Sequence, residues 1–300
     1  MDDQEVMSAI SHDHLARATA AEGHIRAFSA LTTQTARAAQ EAHGASPTAA
    51  AAMGRLLTGA ALLGADVKER SFRLTIEAEG GGPLGRVVAQ AREGGKVRAR
   101  VQHPHVDLPI REDGKLAVGQ AVGTDGFLQV TRDYGGTQLY QGQVALVSGE
   151  IGEDLMHYYV QSEQIPTAVA LGVLVGRQGL VIAAGGVVVQ AMPGADPRMV
   201  DQIVESFGTL QHISYEIEKG ASAESLLHKV LPEPIHWYQP QPIKWECVCS
   251  RQHSYELLGG LPRTEIEALV REGGAEITCN FCLKSYRFSE DELLKLNDRA

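Results

Sequence analysis

Three observations predict an α+β fold in three parts. Apolar and polar residues alternate with period two in stretches of the first half of the chain, which marks antiparallel strands. Capped, Ala-rich runs between residues 32 and 64 mark helices that pack on them. Every cysteine of the 300 residues lies after position 246. The expected organisation is a core domain of antiparallel sheets with packed helices over residues 1–195, a helical, proline-ended linker over 196–240, and a small cysteine-bearing domain over 241–300.

The first firm element is helical. TTQTARAAQEAH, from Thr32 to His43, stops at Gly44, and Ser46 then caps a second helix with Pro47 at the favoured first position. That run, SPTAAAAMGRLLTGAALLGADV, ends near Gly64 and reads as a short amphipathic helix whose small residues let another element approach closely. Strands follow. Phe72, Leu74, Ile76 and Ala78 alternate with Arg73, Thr75 and Glu77, and Val97, Ala99 and Val101 alternate with Arg98 and Arg100. Gly80, Gly81 and Gly82 before Pro83, and Gly94 with Gly95, supply turns. None of them opens a helix with the Lys-Ser/Thr ending that a phosphate loop needs.

FLQVTRDYG and YQGQVALVSGE add two strands around Gly135 and Gly136, and a helix runs from about Glu153 to Gln164, stopped by Pro166. TAVALGVLVG and LVIAAGGVVVQAMPG are uncharged runs joined at Arg177-Gln178-Gly179, and they read as a central hairpin buried on both faces. Beyond Pro197 the pattern turns helical, in PRMVDQIVESFGTL and again in SAESLLHKVL, with much polar surface. Pro232, Pro234, Pro240 and Pro242 mark an extended linker. In the last segment Thr264-x-x-Glu267 suggests a capping box, Gly273-Gly274 a helix stop, AEIT and KSYRF two short strands, and Ser289-x-x-Glu292 the cap of a last helix.

The cysteines form a C-x-C pair, Cys247 and Cys249, and a C-x-x-C pair, Cys279 and Cys282, with 29 residues between the pairs. Two close pairs brought together by a folded segment suit a tetrahedral ion, and sulfur-only ligation makes zinc the expected occupant, one per chain. His253 is a weaker candidate ligand, since four cysteines already complete the site. A single residue between Cys247 and Cys249 holds two thiolates close, so the site is also oxidisable. The tighter C-x-C ring predicts that Cys279 and Cys282 close to a disulfide first.

Composition narrows the function. Lys plus Arg number 27 against 37 Asp plus Glu, for a net charge of -10, and aromatics are only 5%, which disfavours a phosphate-binding or base-stacking surface. No run is long enough to span a membrane, and the acidic start MDDQEVMSAISHDH lacks the apolar region of a secretion signal, so a cytoplasmic setting is expected.

ECVCSR, its spacing to ITCNFC, the following YRF, and the upstream YYVQSEQIPTAVALGVLV and GGVVVQAMPG together resemble the redox-regulated holdase chaperones called 33 kDa chaperonins or heat shock protein 33, over essentially the whole chain. The resemblance implies that Cys247, Cys249, Cys279 and Cys282 hold zinc when reduced. It implies that oxidation releases the ion, joins Cys247 to Cys249 and Cys279 to Cys282, unfolds the switch region, and yields a homodimer that holds unfolding clients. It implies no catalysis, and four thiolates leave no open coordination position for any. The alternative is a zinc-ribbon-like nucleic-acid-binding protein, against which the 8 basic and 10 acidic residues of 241–300 also argue.

Overall fold

The computed structural model describes residues 13–65, 72–135, 139–210 and 212–297. Residues 1–12, Val67 and Gly136, which entered the sequence reading, lie outside them. The chain forms two compact units, Met1–Glu246 and Cys247–Ala300.

The first unit opens on a hairpin, not on a helix: β1 (His14–Ala20) and β2 (Ile25–Leu31) precede α1 (Thr33–His43). Alanine hides these strands from sequence reading. Ala16, Ala18 and Ala20 take three of the four buried positions of β1, where alanine gives a weak apolar signal and no preference for a strand. Gly44, at φ +56°, ends α1 as expected. At the other end the cap comes from outside the helix, because the buried Asp13 carboxylate accepts the N–H of Gln34 at 3.1 Å and of Thr35 at 2.6 Å.

The next helix, α2 (Pro47–Leu63), is not amphipathic as expected. Every residue but Pro47 and Arg55 is buried. It runs between two sheets, so it needs no polar face, and its small residues set the spacing on both sides. A Cβ on Gly54 would sit 3.0 Å from Val173, and one on Gly59 would sit 2.5 Å from Leu155. Arg55 escapes by pairing with Glu150.

One of those sheets is built from β3 (Arg73–Glu79), β4 (Val87–Arg92), β5 (Lys96–Val101), β6 (Phe127–Asp133) and β7 (Leu139–Ala145). A short helix, α3 (Val118–Val122), precedes β6, and α4 (Gly152–Gln161) follows β7. The other sheet adds β8 (Thr167–Val175) and β9 (Val181–Ala191) to the first hairpin, in the order β1-β2-β9-β8. The expected hairpin of β8 and β9 is present, but only β9 is buried along most of its length, from Ala183 to Gln190. β8 is an edge strand with Gly172 and Val173 alone fully buried, since strand order is a long-range property that an apolar run does not reveal.

Three helices cover the face of this sheet that α2 does not: α5 (Pro197–Phe207), α6 (Ile213–Glu218) and α7 (Ala223–His228). Ile203, Ile213, Leu226 and Leu227 pack on Ala16, Ala18, Ala27, Val187 and Val189 in a second apolar cluster. Each such aliphatic side chain contributes about 1.5–3 kcal/mol when buried. The proline-rich stretch that follows is extended and pinned. β10 (Ile235–Trp237) and β11 (Gln241–Pro242) pair with β1, and β12 (Lys244–Trp245) pairs in parallel with β5, so one strap binds an edge of each sheet.

The second unit carries α8 (Arg251–Leu258), α9 (Arg263–Arg271), the hairpin β13 (Ala275–Thr278) and β14 (Ser285–Phe288), and α10 (Glu290–Asn297). Thr264 does not cap α9, which begins one residue earlier behind Pro262. Ser289 does cap α10 in part, its N–H donating to Glu292 at 3.0 Å. The core is small: Leu258, Ile266, Tyr286, Phe288, Leu293 and Leu296 are its fully buried members.

Candidate metal centre

Two local structures deliver the four sulfurs. Cys247 and Cys249 lie in the irregular stretch just before α8, whose start is fixed by Ser250: its Oγ accepts the N–H of His253 at 3.1 Å. Cys279 and Cys282 lie in the turn of the β13–β14 hairpin. The N–H of Cys279 donates to the Lys284 carbonyl at 3.0 Å and the N–H of Leu283 to the Cys279 carbonyl at 2.9 Å, which curls the chain around both sulfurs. The N–H of Lys284 points at the Cys282 sulfur.

The sulfurs converge. Cys247 Sγ is 3.6 Å from Cys279 Sγ, Cys249 Sγ is 3.3 Å from Cys282 Sγ, and all four lie within 4.8 Å of one another. Zinc–sulfur bonds of about 2.3 Å place tetrahedral thiolates about 3.8 Å apart, so the donor set fits that ion in number, chemistry and spacing. Burial is the main influence pushing the Cys282 thiol up, the neighbouring thiols add to it, and the Lys284 N–H opposes it. A cation held at the centre reverses that balance.

His253, the weaker candidate, is not brought to the sulfurs: its side chain is 64% exposed on α8, 3.9 Å from Glu256. Tyr286 is a residue that sequence reading missed. Its hydroxyl donates to the Cys249 carbonyl at 3.3 Å and lies 3.3 Å from the Cys249 sulfur, and this contact, with some desolvation, pushes its own ionisation up to about 12. Its place in the YRF stretch and its alternation with Phe288 in β14, facing the same core, are the sequence signals for it. Tyr286→Phe is expected to keep all four ligands and to lower the unit's unfolding free energy by about 1 kcal/mol, the worth of one such hydrogen bond. A denaturant titration of metal-loaded protein checks it, and an unchanged midpoint would show the contact to be idle.

Arg251 ties α8 to the hairpin and to α10. Its guanidinium donates to the Arg287 carbonyl and to Glu292, each at 2.8 Å, and stacks 4.5 Å over the Phe288 ring. The hydrogen bond from Arg251, seconded by the Ser289 N–H, holds the Glu292 carboxyl down at about 2.

No helix among the described residues is long and apolar enough to cross a membrane. Residues 13–289 match the family model described as Hsp33 protein. The 33 kDa chaperonins of Staphylococcus aureus strains Newman and USA300 are each 41% identical over 286 residues, covering 95% of this chain and 97% of theirs. The crystal structure of the 33 kDa chaperonin (heat shock protein 33 homolog) from Thermotoga maritima superposes with a TM-score of 0.87 at 34% identity, covering 96% of this chain and 99% of that one. A family match along nearly the whole chain, close relatives of the same length and a shared fold carry one conclusion: this chain belongs to the Hsp33 family.

Proposed function

We propose that this protein is a redox-regulated holdase of the cytoplasm, without catalytic activity, that is inactive while reduced and zinc-bound. The observation that carries the reading is the convergence of four thiols in a unit with a core of only six fully buried side chains. Bound zinc supplies folding energy, about 10–16 kcal/mol in comparable small modules, that such a core lacks. In this reading residues 1–195 bind clients and dimerise, 196–240 act as the linker, and 241–300 form the redox switch.

Peroxide oxidises one thiolate to a sulfenic acid, and the second thiol of the pair displaces water from it, so two thiols and one peroxide yield one disulfide and two waters. The oxidised sulfurs no longer ligate a metal. In the folded unit Cys247 Sγ lies 3.6 Å from Cys279 Sγ and Cys249 Sγ 3.3 Å from Cys282 Sγ, both across the pairs. Pairing within each pair is supported instead by chain proximity, which persists once the unit loosens. Cys279–Cys282 closes first and Cys247–Cys249 follows. Loss of the unit then frees α5–α7 and uncovers the apolar sheet face beneath them.

The test is an aggregation assay on an unfolding client. Reduced protein with one zinc per chain is expected to give no protection, and peroxide-treated, warmed protein to protect as a dimer with bridges Cys247–Cys249 and Cys279–Cys282. Equal protection by both forms, or dominant bridges between the pairs, contradicts it.

A further inference from the structure

The redox switch makes no use of β8, although the segment leading through it carried much of the family resemblance. The N–H of Ala191 donates to the Pro166 carbonyl at 2.9 Å, and the register runs from Thr167 opposite Gln190 to Leu174 opposite Ala183. Hydrogen-bonded and non-bonded pairs alternate in an antiparallel ladder. Ala168, Ala170 and Gly172 therefore turn their N–H and C=O towards β9, while Val169, Leu171 and Val173 turn theirs away. No strand lies on that side, and among the described residues no backbone hydrogen bond satisfies those three.

A groove of about 630 Å³ runs along this edge. Every residue from Val169 to Val175 lines it, Phe207, Leu210, Ile213 and Tyr215 line its far wall, and the charged Arg55, Arg111, Lys115, Glu150 and Glu153 also border it. From Thr167 to Gly176 the strand has no charge and no proline, the usual devices that keep a sheet edge from pairing. The opposite edge of the same sheet and the β5 edge of the other are both covered by the 235–245 strap.

We infer that the free edge of β8 takes an extended, apolar segment of an unfolded polypeptide as an added strand. This rests on the holdase reading. Backbone pairing is indifferent to side-chain identity, which suits clients that share no sequence, and the uncharged, valine- and leucine-rich strand favours apolar segments. The far wall belongs to α5, α6 and the turn between them, so the release that activates the protein also opens the edge.

The experiment uses full-length protein, peroxide-treated and warmed, and a synthetic, end-blocked heptapeptide of alternating Val and Thr, beside a twin methylated on alternate backbone nitrogens. The unmodified peptide is expected to bind and to slow hydrogen exchange at the amides of Val169, Leu171 and Val173. The twin is expected to bind at least about tenfold more weakly, having lost several backbone hydrogen bonds. Leu171→Pro, which removes an outward N–H and no ladder bond, is expected to weaken the unmodified peptide at least about tenfold. Gln143→Pro is its control on β7: the N–H of Leu146 bonds to Gly126, so Gln143 also faces outward, and no change is expected. Equal binding of the two peptides, protection confined to other segments, or no binding by protein that still suppresses client aggregation overturns the inference. Absent suppression removes the holdase reading instead, and this inference with it.

Discussion

Chelation of the metal from reduced protein is expected to unfold residues 247–297 while the two sheets of the first unit keep their structure. Six fully buried side chains, two four-residue strands and three helices of eight or nine residues are too little to fold alone. Isolated helices of that length are marginal in water. Removing an ion whose binding is worth about 10–16 kcal/mol in comparable modules therefore takes the unit past its unfolding point, whereas the two sheets of the first unit are held by their own strand pairing and cores. Substitution of all four cysteines by serine is expected to do the same without a chelator. Hydrogen exchange read by segment decides the matter. Amides of β13, β14 and α9 should lose protection and those of β2 and β9 keep it, and continued protection in the hairpin after metal loss would show that the small core suffices.

Leu227→Asp is expected to switch the reduced protein on. Leu227 is fully buried between α7 and the outer sheet face, in a helix of only six residues. Truncating such a leucine costs about 2–5 kcal/mol, and a carboxylate at the same place adds a desolvation penalty. Helices this short have no independent stability to set against that, so residues 197–231 should detach locally. The reduced, metal-loaded variant is then expected to bind a hydrophobic dye and to suppress client aggregation without peroxide. Leu227→Ala should do so in part. Val204→Asp, at a position 59% exposed on α5, should do neither. A reduced Leu227→Asp protein that shows the helices loosened but no holdase activity would separate the sheet face from client binding.

The convergence of the four cysteines was legible because its information is local: two pairs, each within one turn, in a chain otherwise free of cysteine. The α+β class was legible for a similar reason, since alternation at 72–78 and caps at 44–47 are short-range patterns. What escaped depends on distant partners. Ala16 and Ala18 become strand residues only because β2 and the strap lie beside them. A run of Ala, Gly and Leu became a helix buried on every side only because sheets close over it from both directions. The apolar signal of β8 matched that of β9, yet one sits inside the sheet and the other at its edge. Tyr286 gained its place beside Cys249 through the hairpin fold, across 37 residues of sequence.

The burial of α2 between two sheets bears on how the chain is made. The helix is complete when Leu63 has been synthesised, but β9, which covers one of its sides, ends at Ala191. At about 5–20 residues per second, ribosomes take roughly 6–26 s to traverse that interval. For that time a helix with hardly any polar surface has no second sheet to pack against, and β1 and β2, finished at Leu31, wait longer still for the strand that joins them to the rest. During its own birth the nascent chain therefore displays the kind of apolar surface that a holdase exists to cover.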